Sequence, residues 1–294
     1  MMRRWVGTMA GLLLACTMAG AAAAKQGEQA IQIKGSDTMV NLCQAWAESF
    51  MRQHPEVTVA ITGGGSGTGI AALIGGTCDL AATSRKITAK EATKAAALGA
   101  PPKELTVALD GLAVVVNPQN PVRQLTLQQL ADLFTGKVTN WKALGGPDKR
   151  VVLLSREVNS GTHVYFKEHV LPASSTGDRE FSPEALLLPS SQAIADEVGS
   201  NLGGIGYYGM GYLNPNNAVI SVAKAAGEPY VTPSEKTVLN GTYPISRPLL
   251  LYSHGQPGGA VKAFLDFVMS PEGQAVVRQI DFVPVAEDAV PAAP

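Results

Sequence analysis

The stretch Ile31-Gln32-Ile33-Lys34-Gly35-Ser36-Asp37-Thr38-Met39-Val40-Asn41-Leu42-Cys43 joins an alternating apolar run to a helical stripe through a short polar turn. Ile31 and Ile33 fall on one face of a strand. From Thr38 to Gln53, the residues Val40, Leu42, Cys43, Trp46, Ala47 and Phe50 fall on one face of a helix. The unit then recurs. Val57 to Ile61 reads as a strand, Gly69 to Ile74 as a short helix, Asp79 to Ala82 as a third strand, and Thr88 to Ala97 as an alanine-rich helix opened by a threonine cap. Such alternation predicts an α/β chain with a mostly parallel sheet covered by helices on both faces.

Leu105 to Asn117 is a long β-rich run, broken by Asn117-Pro118-Gln119-Asn120-Pro121. A second alternating set follows: a helix from Thr126 to Phe134, a strand from Val151 to Ser155, helices from Gly161 to Val170 and from Gln192 to Ser200, and a strand over Gly204 to Tyr208. Pro248 to Tyr252 is strand-like, and Val261 to Ile280 closes the chain as a helix pair interrupted at Ser270-Pro271. The chain is thus expected to leave a first lobe near Val114 to Asn117 and to return near Arg247 to Tyr252. Two crossings predict two hinge strands and a ligand cleft between lobe I (30–113 with 248–288) and lobe II (114–247). No repeat period of roughly 20 to 50 residues occurs, which argues against solenoids and propellers.

Of the 294 residues, 46% are hydrophobic and 16% charged, below the ~25% charge of an average soluble domain. The chain can bury a large core. The formal net charge is -1, and no run of basic residues supplies a local excess, so no nucleic-acid partner is expected. Arg3 and Arg4 precede a mostly apolar run from Trp5 to Met18, and Ala21 to Ala24 supplies small residues. This pattern predicts a cleaved export signal over 1–24. It is shorter than a comfortable span of a ~30 Å hydrocarbon core. Leu13-Leu14-Ala15-Cys16 also resembles a lipobox, so the expected location is periplasmic, or lipid-anchored at the membrane through Cys16. Cys43 and Cys78 then remain, either as a disulfide or as two buried thiols. The four His residues are scattered, without zinc spacing. No cofactor and no metal are expected.

Three turns carry the functional signal. Gly35-Ser36-Asp37-Thr38 follows the first strand, Gly63 to Gly69 with Ser66-Gly67-Thr68 follows the second, and Asn159-Ser160-Gly161-Thr162 precedes a helix in the second half. Each contains Ser-x-Thr at a helix start, where backbone N–H groups lack partners and the helix dipole is positive. N-capping alone accounts for any one of them. The glycine run and the threefold recurrence go beyond capping, because glycines let backbone approach a ligand closely. Together the three could enclose a tetrahedral oxyanion. Ser84-Arg85 and Arg156 follow strands, at the edge where open α/β sheets bind ligands, and guanidinium groups match oxyanions. Asp37 has two readings: an acid at a helix start, or a selectivity element. In the second, it accepts the proton that phosphate keeps near neutral pH and repels sulfate, which has none.

As a set, Gly35-Ser36-Asp37-Thr38-Met39, Gly63 to Gly69, Asp79 with Ser84-Arg85, Asp110 to Asn117, Phe134-Thr135-Gly136-Lys137 with Asn140-Trp141, and Arg156-Glu157 with Ser160-Gly161-Thr162 resemble the periplasmic phosphate-binding proteins of bacterial phosphate ABC transporters. The resemblance runs in order over nearly the whole chain after the export signal. It implies an α/β, two-lobed type II periplasmic-binding-protein fold and a monomer that captures inorganic phosphate for an inner-membrane ABC permease. By motif match it implies ligand contacts from Ser36, Asp37, Thr38, Ser66, Gly67, Thr68, Ser84, Arg156, Ser160, Gly161 and Thr162. The chain departs from the pattern at Asn159, where many relatives have Gly, and at Arg85, near which some carry a ligand-binding Asp.

Two enzyme readings fit less well. The nucleophile elbow needs Gly two residues after Ser, and Thr68 stands there after Ser66. Gly67-x-Gly69-x-x-Ala72 matches a dinucleotide fingerprint, but no acid closes the next strand. No enzymatic activity is expected. Binding of sulfate, molybdate or another oxyanion, and phosphate sensing without a transporter, are the other readings of the same fold.

Overall fold

The computed structural model describes residues 29–97 and 101–285. The expected export signal over 1–24, with Cys16, lies outside them. Strand β1 (Gln29–Gly35) leads to α1 (Val40–Gln53), β2 (Val57–Thr62), α2 (Ser66–Ile74), β3 (Leu80–Thr83), α3 (Ala89–Ala97) and the long β4 (Pro102–Val116). Then come β5 (Gln124–Thr126), α4 (Leu127–Phe134), β6 (Val152–Arg156), α5 (Gly161–His169), β7 (Leu186–Leu188), α6 (Ser191–Ser200) and β8 (Gly204–Gly209). The chain ends through β9 (Ala218–Val219), β10 (Ser221–Ala223), α7 (Glu235–Leu239), β11 (Ser246–His254), α8 (Gly259–Met269) and α9 (Pro271–Gln279).

One sheet runs β2-β1-β3-β11-β4-β8-β6-β7, with β9 on β4. Each outer part is parallel, as β1 with β2 and β3, and β6 with β7 and β8. The middle is antiparallel, because β11 returns between β3 and β4 and β8 runs against β4. The expected mostly parallel sheet is therefore a mixed one. The two strands that carry the chain between the halves run in opposite directions, and that crossing imposes the change. β4 hands over from β11 to β8 at Gly111–Leu112.

One contiguous apolar cluster runs through both halves. In α1, Leu42, Cys43, Trp46, Ala47 and Phe50 are buried, as the helical stripe predicts. Phe50 meets Phe264 and Phe267 of α8 at centroid distances of 5.3 and 5.7 Å, and Trp46 Nε1 donates to Gly273 O at 2.7 Å. In the other half, Phe134, Phe166 and Tyr207 form an aromatic cluster at 3.9 to 5.4 Å. Trp46, Trp141, Tyr207 and Tyr208 are all core residues with no exposed surface. Cys43 and Cys78 are separate buried thiols, not a disulfide. No described helix is long and apolar enough to cross a membrane.

Candidate functional site

All three Ser-x-Thr turns lie at strand-to-helix junctions at the seam between the two halves of the sheet. The second turn differs from the expectation: α2 begins at Ser66, not Gly69, with Gly65 as its N-cap. Ser66 and Thr68 therefore sit in the helix's first turn. The capping explanation can be checked turn by turn. Ser160 caps α5, accepting from the amides of Thr162 and His163 at 3.2 and 3.5 Å. Ser36 makes no side-chain cap, and Gly65 has no side chain to make one.

The uncapped hydroxyls instead meet each other. Ser36 Oγ donates to Ser84 Oγ at 3.0 Å, Ser66 Oγ lies 3.4 Å from Ser84 Oγ, and the Ser84 amide donates to Ser66 Oγ at 3.0 Å. Gly161 faces this trio. A methyl group on it would overlap Ser66 Oγ and come within 2.7 Å of Ser84 Oγ, so only glycine permits the approach. Thr38 Oγ1 and Thr162 Oγ1, from opposite halves, lie 2.9 Å apart. Ser36, Thr38, Ser66, Ser84 and Thr162 are all at most 3% exposed. Buried hydroxyls cost stability unless they are partnered, and here the five satisfy one another as a trio and a pair.

Charge enters through Asp37 and Arg156. Asp37 Oδ1 accepts the Gly64 amide at 2.9 Å, and Oδ2 accepts Arg156 Nη2 at 3.0 Å across the seam. Arg156 is 1% exposed on its side chain. Its fork is aimed by Leu188 O, Pro189 O and Ser191 Oγ at 3.2, 2.8 and 3.2 Å. Burial pulls its pKa down, and the neighbouring Asp37 carboxylate pushes it back up. Tyr212 Oη donates to Asp37 O at 2.8 Å, fixing the turn.

Two sequence expectations read differently in space. Arg85 does not aim at the cluster; its fork is held by Glu91 at 2.7 and 2.8 Å. Burial alone would raise the Glu91 pKa, but hydrogen bonds from Arg85 and Thr88 hold it down to about 2. Gly67 and Thr68 stand at the rim, where the Gly67 amide donates to Asn159 O at 3.0 Å and Thr68 Oγ1 accepts from Asn159 Nδ2 at 3.3 Å.

A further pair escapes sequence reading. Asp110 and Arg247 face each other on β4 and β11, both side chains wholly buried, with Arg247 Nε and Nη2 at 2.9 and 2.8 Å from Asp110 Oδ2. Asp110 Oδ1 accepts the Met210 amide at 2.9 Å, and Arg247 Nη1 donates to Ser84 O at 3.2 Å. The pair thus ties the crossing strands to the hydroxyl cluster. An acid inside the apolar run Leu105 to Val116 was the available signal. Among the described residues no cluster of His, Cys, Asp and Glu suits a metal.

Comparison with known proteins places the chain in a family. A family model described as the PBP superfamily domain matches residues 20–272. The phosphate-binding protein PstS of Pseudomonas aeruginosa is 36% identical over 277 residues, covering 87% of this chain and 84% of its own length. A putative phosphate ABC transporter substrate-binding protein from Clostridium perfringens, solved with bound phosphate, superposes with a TM-score of 0.77 at 31% identity, covering 88% of this chain and all of the other. An ABC-type phosphate transport receptor from Vibrio cholerae gives 0.69 at 31% identity, over 87% of this chain and all of its own. The two-lobed α/β architecture is the one these proteins share, and the chain belongs to the PBP superfamily and, within it, to the family of the PstS phosphate-binding proteins.

Proposed function

We propose that this chain binds one inorganic phosphate between its lobes, outside the cytoplasm, and delivers it to an inner-membrane ABC permease. One observation carries the reading: hydroxyls of three turns and Ser84 converge at the seam, Ser36 and Ser66 on Ser84 and Thr38 on Thr162 of the opposite half, beside the carboxylate–guanidinium pair of Asp37 and buried Arg156. Lobe I comprises 30–113 with 248–288, of which 98–100 and 286–288 lie outside the described residues, and lobe II comprises 114–247.

In this reading, Ser36, Thr38, Ser66, Ser84 and Thr162 exchange their mutual hydrogen bonds for bonds to phosphate oxygens. Ser160, Gly161 and Thr162 offer amides at the start of α5, where the dipole favours an anion. Gly67 and Thr68 close the rim from α2. Arg156 balances the charge. Asp37 is the selective element: it accepts the proton of phosphate and meets sulfate only with lone pairs. The partner role rests on the family, whose members include a phosphate transport receptor and an ABC transporter substrate-binding protein. Release of the mature chain after Ala24 or attachment through Cys16 are both compatible with the role.

Calorimetric titration of the purified protein with phosphate, sulfate and molybdate tests the reading. Saturable one-to-one binding of phosphate, tighter than of the other two, is expected. Preference for sulfate or molybdate overturns it.

A further inference from the structure

Beside the Asp37–Arg156, Tyr212–Asp37 and Thr38–Thr162 contacts, Asn159 adds a bridge at the exposed rim of the seam. Asn159 reaches the glycine-rich turn after β2 through three contacts: its carbonyl accepts the Gly67 amide at 3.0 Å, and its Nδ2 donates to Gly64 O at 2.8 Å and to Thr68 Oγ1 at 3.3 Å. Both amide hydrogens of one side chain are thereby used on the opposite half. The glycine turn is shaped around this contact. Gly65 has φ +89°, and a Cβ there would lie 2.7 Å from Asn159 O and 2.9 Å from its carbonyl carbon. Gly64, with φ +113°, turns its own carbonyl to the Asn159 amide. Part of the glycine run thus exists to admit a neighbouring chain segment, and not only a ligand.

The contacts involve exposed residues at the edge, whereas the Asp110–Arg247 pair lies wholly buried at the strands that join the halves. Opening about those strands breaks all three Asn159 contacts together. Closing re-forms them without any contact from Asn159 side-chain atoms to the hydroxyl cluster. We propose that Asn159 is a latch, a positioning residue that holds the closed lobes together and sets the rate at which bound anion leaves. The inference rests on the phosphate-binding reading. It assigns to Asn159 the dissociation step in particular, leaving recognition to the hydroxyls, Asp37 and Arg156.

The test is stopped-flow kinetics of phosphate binding and release by wild type, Asn159→Ala and Asn159→Asp, with thermal unfolding of each. Asp keeps the shape but has no hydrogen to donate and turns an oxygen toward Gly64 O. Each lost exposed hydrogen bond contributes on the order of 1 kcal/mol, so losing two raises the dissociation rate about thirtyfold. Asn159→Asp exceeds Asn159→Ala, while the association rate stays within about twofold and Tm barely moves. A purely structural role shifts Tm and leaves the ratio of the two rates alone. Dissociation unchanged in both variants, in proteins that still bind phosphate, overturns the latch. Wild type that fails to bind phosphate overturns the phosphate reading instead, so the two failures are distinct.

Discussion

Asp37→Asn separates selectivity from affinity. In the native site Asp37 accepts from Gly64 N–H at 2.9 Å and from Arg156 Nη2 at 3.0 Å, leaving further lone pairs open to a ligand hydrogen. Phosphate near neutral pH brings one; sulfate does not. An unsatisfied contact between buried acceptors costs about 1–3 kcal/mol, or roughly 5- to 150-fold in affinity. Asparagine has nearly the same shape. Its oxygen retains the Gly64 bond, while its amide takes the place of Oδ2, giving up the Arg156 bond for both anions and offering a donor, so sulfate is relieved of that penalty. Phosphate loses a charge-assisted bond of about 1.5–3 kcal/mol. The ratio of the sulfate to the phosphate Kd should therefore fall by at least about 70-fold, read by calorimetry at pH 7 with Tm recorded on the same samples. A ratio within about twofold of wild type refutes the role of Asp37, whatever happens to absolute affinity.

Arg156→Ala should weaken phosphate and sulfate together, by ~2–4 kcal/mol if the pair is desolvated; unchanged affinity in calorimetry removes Arg156 from the site. Asp110→Ala leaves the wholly buried Arg247 without its counter-charge, a loss of ~3–5 kcal/mol, and should lower Tm by about 10 °C in a calorimetric scan. Burial pushes the Cys43 thiol up to about 12, and the Cys78 thiol, with Asp79 adding to burial and Lys34 opposing it, up to about 11. The unfolded chain ionises these groups near 9.0, so their contribution is complete below pH 9 and is lost as pH rises from there toward 11 and 12. Denaturant unfolding at pH 8 and pH 10.5 should show lower stability at the higher pH, and replacing both thiols by alanine should shrink that difference.

The parts legible in the sequence are those set by neighbours along the chain. The stripe from Leu42 to Phe50 and the alternation of Ile31 and Ile33 reach the core as their periods predict. The turns were legible because Ser-x-Thr after a strand is a local signal, and the convergence of Ser36, Ser66 and Ser84 follows once adjacent strands β1, β2 and β3 fix their starts. Helix α2 starts three residues early because the glycine-rich segment offers no apolar stripe to mark its first turn. Arg85 was misdirected by its position after a strand, although Thr88-Ala89-Lys90-Glu91 is a capping-box spacing that folds Glu91 back onto the turn. The Asp110–Arg247 pair joins residues 137 positions apart, and Asn159 reaches Gly64 across 95. No local pattern encodes such contacts. The antiparallel middle of the sheet has the same cause, since β11 must travel past the whole second half before it pairs.

The most direct measurement is a crystal structure of the protein grown with phosphate. The account predicts an anion whose oxygens lie within hydrogen-bonding distance of Ser36, Ser66 or Ser84 on one side and of the Ser160-Gly161-Thr162 turn on the other, with Asp37 accepting from it and Arg156 adjacent. Phosphate bound elsewhere, or touching only one of the three turns while the others keep their mutual hydroxyl contacts, contradicts it.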